Sequence, residues 1–221
     1  MTCLPAEFPA GVRKLDISGN RLTSLSEALP DSLVELNVGA NELTSLPRNL
    51  AALLPSLQTL NATWNALSHL PDLPGSLEYL FVTHNQLSNI SEPLPAGLRM
   101  FRVDDNRLER LPELPAKLRV ITANENQLTC LPKRLPAGLR VLHLNCNQLK
   151  NLPDKLPASL RELDVEKNAL ESLPKIIETT LIDECRLRLQ GNPLPEAVLD
   201  WEAVSQGWDV CGNEWALYLR E

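Results

Sequence analysis

Apolar positions in this chain recur in a fixed order that is neither a plain helical nor a plain strand period. In Leu139–Pro157, L-R-V-L-H-L-N-C-N-Q-L-K-N-L-P-D-K-L-P, leucines hold the first, fourth, sixth and eleventh places and asparagine the ninth. The order returns about every twenty residues, and its ninth place is always asparagine: Asn20, Asn41, Asn65, Asn85, Asn106, Asn126, Asn147, Asn168 and Asn192. Within the unit, Leu142 and Leu144 are two apart and share one face of a short strand, while Val141, His143 and Asn145 share the other. Leu149 and Leu152 follow a bend and turn back to the leucine side, which predicts a core one coil wide and as long as the stack. The asparagine amide carries donors and an acceptor. It is therefore predicted to satisfy buried turn groups of its own coil and of the adjacent one.

Units begin at Val12, Leu33, Leu57, Leu77, Leu98, Leu118, Leu139 and Leu160, with spacings of 21, 24, 20, 21, 20, 21 and 21 residues. An L-x-x-L-x-L-x-x-N-x-L unit at this period is the signature of a leucine-rich repeat, in which each coil supplies one strand to a horseshoe. One coil cannot bury its apolar side alone, so stability comes from stacking. The expected fold is a leucine-rich repeat solenoid of the α/β horseshoe class over residues 1–194. Parallel strands line its concave face, and a helical cap or linker to a further domain occupies 195–221. The first unit is partial: Thr2–Gly11 reads as the back half of a coil without its strand. The 24-residue coil has room for a short helical turn at Ala51–Leu54. Elsewhere the backs read L-P-x-x-L-P or a close variant, as at Leu131-Pro132 to Leu135-Pro136. Proline fixes φ and removes a donor, which predicts extended, polyproline-like chain there. After an irregular stretch at Lys175–Asp183, the strand pattern returns over Glu184–Leu194. Pro195–Gln206 then has Ala197, Val198, Trp201 and Val204 at helical spacing, with proline in the first turn.

Composition narrows the functional classes. The net charge of −7 weighs against binding to phosphate backbones, so no nucleic-acid partner is expected. The five cysteines, Cys3, Cys130, Cys146, Cys185 and Cys211, are odd in number and have no C-x-x-C spacing. They point to neither a disulfide framework nor a metal site. No apolar run approaches the ~20 residues of a membrane span, and the N-terminus has no signal-peptide pattern. The chain has no G-x-S-x-G, H-E-x-x-H, phosphate-loop or dinucleotide fingerprint. His69, His84 and His143 stand at different places in their coils and read as solvated surface residues without charge partners. No cofactor and no catalysis are expected of this chain.

Function is then sought on the outward second, third, fifth, seventh and eighth places, which tile the concave side at the ~4.8 Å strand spacing. Trp64, Tyr79, Phe81 and Met100 form an apolar group in neighbouring coils. They suit interface anchors, because Trp and Tyr dominate binding hot spots, or else packing that only steadies the sheet. Arg99, Arg119, Arg140 and Arg161 form a ladder at the second place, opposite Asp104, Asp105, Glu125 and Glu166 at the seventh and eighth. The ladder reads as a solvated edge or as an electrostatic guide for a partner. The expected partner contacts are Trp64, Tyr79, Phe81, Met100, Arg102, Arg119, Arg140 and His143.

These features resemble a family. The proline backs, the coil length and the ending Gly191-Asn192-Pro193-Leu194 before a helix are similar to the leucine-rich repeat domains of bacterial type III secretion effectors. The invasion plasmid antigen H type is the first match and the Yersinia outer protein M type the second. Leu173-Pro174-Lys175-Ile176-Ile177 through Asp183-Glu184-Cys185 is especially similar to the place where the first type leaves its repeats. The resemblance covers roughly residues 4–206 and implies a module secreted by a bacterium into host cytoplasm, where it binds a host protein. In the first type a separate C-terminal domain is a novel E3 ubiquitin ligase whose nucleophile lies in a C-x-D motif. No cysteine here begins C-x-D, so a ligase domain is expected only in a parent chain beyond Glu221. The second type implies a scaffold without catalysis that binds host kinases or other host proteins. An immune-type or extracellular repeat is disfavoured because paired flanking cysteines are absent.

Overall fold

The computed structural model describes all residues except 1, 3, 6, 27, 178–184 and 196–221. Apart from Pro195, the predicted helix over 195–206 and the segment after it lie outside the described residues. Each repeat contributes one strand of three residues: β1 (Lys14–Asp16), β2 (Glu35–Asn37), β3 (Thr59–Asn61), β4 (Tyr79–Phe81), β5 (Met100–Arg102), β6 (Val120–Thr122), β7 (Val141–His143), β8 (Glu162–Asp164) and β9 (Arg186–Arg188). All nine form a single parallel sheet in chain order. The register matches like places of successive coils, so Leu36, Leu60, Leu80, Phe101, Ile121, Leu142, Leu163 and Leu187 stand side by side. They are at most 5% exposed and form the inner wall of one continuous core.

The backs follow the sequence expectation and add a turn to it. The helical insert is α1 (Leu50–Leu53), whose Leu50 is buried. In the other coils the closing proline accepts a hydrogen bond from the leucine three residues on. Examples are Leu77 N–H to Pro74 O at 3.1 Å and Leu139 N–H to Pro136 O at 3.0 Å. Proline lacks a donor but keeps its carbonyl, which suits it to open a tight turn. Ser76 and Ser159 brace these turns, donating to Leu57 O at 2.7 Å and Leu139 O at 2.6 Å in the coil before.

The ninth-place asparagines act as their amide chemistry predicts. Eight bonds of 2.9–3.0 Å run from a leucine N–H to the asparagine Oδ1 of the next coil, from Leu22 to Asn41 through Leu170 to Asn192. The Nδ2 groups donate within the coil and to the coil before, as Asn41 does to Val38 O at 3.0 Å and to Ile17 O at 3.1 Å.

The eighth place was not singled out by periodicity, yet it is the most constrained backbone position. Gly19, Ala40, Trp64, His84, Asp105, Glu125, Cys146, Lys167 and Gly191 all have φ between 48 and 72°. Their amides extend the ladder past the strands, as in Trp64 N–H to Thr83 O at 3.0 Å. A non-glycine side chain in this left-handed region crowds the following carbonyl, at roughly 1–2 kcal/mol per residue. Ala40→Gly removes that strain, and the unfolded-chain entropy that glycine adds offsets only about 0.4–1 kcal/mol of the gain, so the variant should be stabilised by about 0.5 kcal/mol. Urea midpoints measure this; a lower midpoint in the variant would contradict it.

Candidate functional site

In-register stacking turns each strand place into a row along the concave face. The third-place row runs Lys14, Glu35, Thr59, Tyr79, Met100, Val120, Val141, Glu162, Arg186; the fifth runs Asp16, Asn37, Asn61, Phe81, Arg102, Thr122, His143, Asp164, Arg188. The third row is polar at both ends and apolar in the middle. Met100, Val120 and Val141 are buried at 3%, 0% and 0% exposure, and half-buried Tyr79 and Phe81 pack against them. The sheet thus carries a second apolar cluster on the side away from the main core. Met100 was expected as an exposed anchor, and here the structure corrects the expectation: it lies within the cluster, beneath the reach of a partner. Tyr79 and Phe81 keep part of their rings accessible.

Polar groups frame this cluster. The Arg102 guanidinium carbon lies 5.9 Å from the Phe81 ring centroid. Desolvation holds its pKa below the usual arginine range, and the Asp104 charge opposes that shift. Asp104 accepts from the Thr122 hydroxyl, from Asn124 N–H at 2.9 Å and from the Thr83 hydroxyl at 3.3 Å. His143 Nε2 meets Glu162 Oε2 at 3.0 Å, and Arg188 Nη1 lies 3.6 Å from the buried Asp164.

Trp64 stands apart from the other three aromatic and methionine residues. It occupies the left-handed eighth place beyond its strand, is 61% exposed, and stacks on His84 with ring centroids 3.7 Å apart and planes at 27°. His84 Nδ1 pairs in turn with Asp105 Oδ2 in the next coil. The expectation that His84 and His143 lack charge partners is therefore wrong. Each meets a carboxylate one coil on, 19 to 21 residues away, a spacing that matches no motif but follows from the repeat.

The arginine ladder exists as a row, but much of its hydrogen-bonding capacity turns back on the protein. Arg99 Nε pairs with Glu78 at 3.2 Å. Arg119 Nη1 donates to Lys117 O at 3.2 Å and Leu118 O at 3.4 Å, and Arg161 Nη1 to Leu160 O at 3.0 Å. The Arg119 guanidinium lies over Gly138, where a Cβ would sit 2.7 Å from its Cζ. Arg140 continues the row between Arg119 and Arg161.

The leucine-rich repeat family matches residues 10–67. Over the wider chain, a Shigella effector leucine-rich repeat domain is 30% identical with a TM-score of 0.67, covering 79% of this chain and 78% of that one. This chain belongs to the leucine-rich repeat family. The repeat protein is also similar to YopM, a leucine-rich effector protein from Yersinia pestis, at 35% identity and a TM-score of 0.76, over 87% of this chain and 52% of that one. YopM from Yersinia enterocolitica gives 32% identity and 0.65, over 87% and 45%. The repeat protein thus spans about half the length of these two structures. No curated protein sequence matches it.

Among the described residues of the repeat protein, no three or more His, Cys, Asp or Glu are grouped to hold a metal ion, and no helix is long and apolar enough to cross a membrane. Burial pushes the Cys185 thiol up to about 12, which keeps it protonated and unreactive near neutral pH. Sequence reading missed Val120 and Val141, because valine in a strand looks like ordinary β propensity. The signal that could have found them is the run of four apolar third places, Tyr79, Met100, Val120 and Val141, in a row otherwise polar.

Proposed function

We propose that this repeat protein is the protein-recognition module of a secreted bacterial effector and binds a host protein on its concave face in host cytoplasm. The observation that carries the reading is the concave apolar cluster. Tyr79 and Phe81 present ring surface there, and the buried Met100, Val120 and Val141 hold those rings in place. A rigid aromatic pair framed by polar residues is the composition of a binding hot spot. The basic row at one end of the strands and the acidic places at the other would set the partner's orientation, with Arg102, Arg119, Arg140 and His143 among the polar contacts. In this reading the contact brings a host substrate to an E3 ubiquitin ligase domain carried elsewhere in the parent chain.

A second reading, a scaffold effector without catalysis, is favoured by the 35% identity to YopM. The two separate on the parent polypeptide: a helical domain with a C-x-D nucleophile supports the ligase, and its absence supports the scaffold. The concave face is tested with Tyr79→Ala/Phe81→Ala in a binding assay against a host protein captured by the wild type. Affinity should fall at least about 30-fold, equivalent to ~2 kcal/mol, with an unchanged circular dichroism spectrum. Undiminished affinity in the folded variant would remove this face from the function.

A further inference from the structure

The Trp64–His84 stack lies outside the apolar cluster and is not used by the reading above. Trp64 is the exposed large apolar side chain among the described residues. One indole face is covered by the His84 imidazole, itself held by Asp105. On the other side the preceding coils place Gly39 and Ala40, then Ser18 and Gly19, at the seventh and eighth places. Nothing bulkier than a serine side chain stands at those positions to fill the space beside the indole. The backbone is fixed as well: Trp64 N–H donates to Thr83 O at 3.0 Å, and Trp64 O accepts from Asn41 N–H at 3.2 Å. The result is a pre-positioned aromatic wall with one planar neighbour already stacked and the other side open.

Charge selects what would complete the stack. In the coil beside the open face, exposed Glu42 follows Ala40 by two residues, and Arg21 holds the same place one coil further off; on the covered side the row carries Asp105, paired with His84, and then Glu125. An indole face attracts cations, tryptophan more strongly than the other aromatic residues. A guanidinium is planar, weakly hydrated and able to stack, whereas an ammonium is a compact, strongly hydrated point charge. We infer that Trp64, backed by His84 and Asp105, is a receptor for an arginine side chain of a partner protein at the rim of the concave face. The identity of the partner rests on the concave-face reading, but the receptor itself can be tested without that partner.

The test is a nitrogen-15 NMR titration of the whole chain with N-acetyl-arginine amide, compared with the neutral isostere N-acetyl-citrulline amide and with N-acetyl-phenylalanine amide. The Trp64 indole signal, assigned by its loss in Trp64→Ala, should move at least threefold further with arginine than with either control. The arginine-induced shifts of the Ala40 and His84 backbone amides should fall at least fivefold in Trp64→Ala. Equal responses to citrulline or phenylalanine, or responses at Ala40 and His84 that survive Trp64→Ala, would overturn the inference. Tyr79→Ala/Phe81→Ala should keep the arginine response while losing the protein partner. A variant that keeps both would overturn the concave-face reading and leave the arginine receptor standing.

Discussion

Asn126→Ala is expected to destabilise the protein by about 2–3 kcal/mol: the buried Leu108 N–H is left without an acceptor, at roughly 1–3 kcal/mol, while Val103 O and Asn124 O each lose one donor and keep Asn106 Nδ2 and Asp105 N–H. Asn126 Oδ1 accepts from Leu108 N–H at 2.9 Å, and its Nδ2 donates to Val103 O and Asn124 O, both at 3.0 Å. Two of these groups belong to the coil before, so the substitution unfastens an interface between repeats as well as a turn. In a stack whose stability is a sum of repeat and nearest-neighbour terms, that loss falls in mid-array. Leu108 amide exchange should accelerate more than that of Leu43, whose N–H is held by Asn65 several coils away. Asn126→Leu restores volume but no polar group and should fare no better than alanine. A loss under about 1 kcal/mol in urea unfolding would mean that the amide is dispensable, against the cost of unsatisfied buried groups.

The second large effect is expected at Phe101, which fills the inner place held by leucine or isoleucine in the adjacent coils, Leu80 and Ile121. It is fully buried and the bulkiest such side chain in the core. Phe101→Ala removes a ring from the interior of a close-packed stack and should cost about 3–5 kcal/mol. Phe101→Leu should recover most of this, because leucine is the residue the repeat geometry accommodates elsewhere. Thermal or urea unfolding distinguishes the two. If the leucine variant were as unstable as the alanine one, the coil would be shaped around the ring itself rather than around the repeat.

The legibility of the candidate site was uneven, and the particular residues show why. Tyr79 and Phe81 could be placed on the concave side from the two-residue alternation alone. Met100 shares that alternation and is nevertheless buried, because its exposure depends on what packs beside it. Trp64 belongs with them by coil number, but the left-handed turn after each strand carries it to the rim, where its partner is His84. The arginine ladder was legible as a row, since position in the repeat sets it. The turning of Arg119 and Arg161 onto the carbonyls of the residues just before them depends on side-chain rotamers, to which a repeat pattern is blind.

Sequence by itself determined the coil, its core and its asparagine rail. Those features answer to a local demand repeated at one period: apolar side chains need burial, turn amides need partners, and one residue type meets each demand. Tertiary structure alone decided which outward side chains meet. His84 with Asp105, His143 with Glu162 and Arg102 with Phe81 are pairs brought together by stacking coils about twenty residues apart. No local demand names such partners, because the energy of each contact exists only once neighbouring strands lie ~4.8 Å apart.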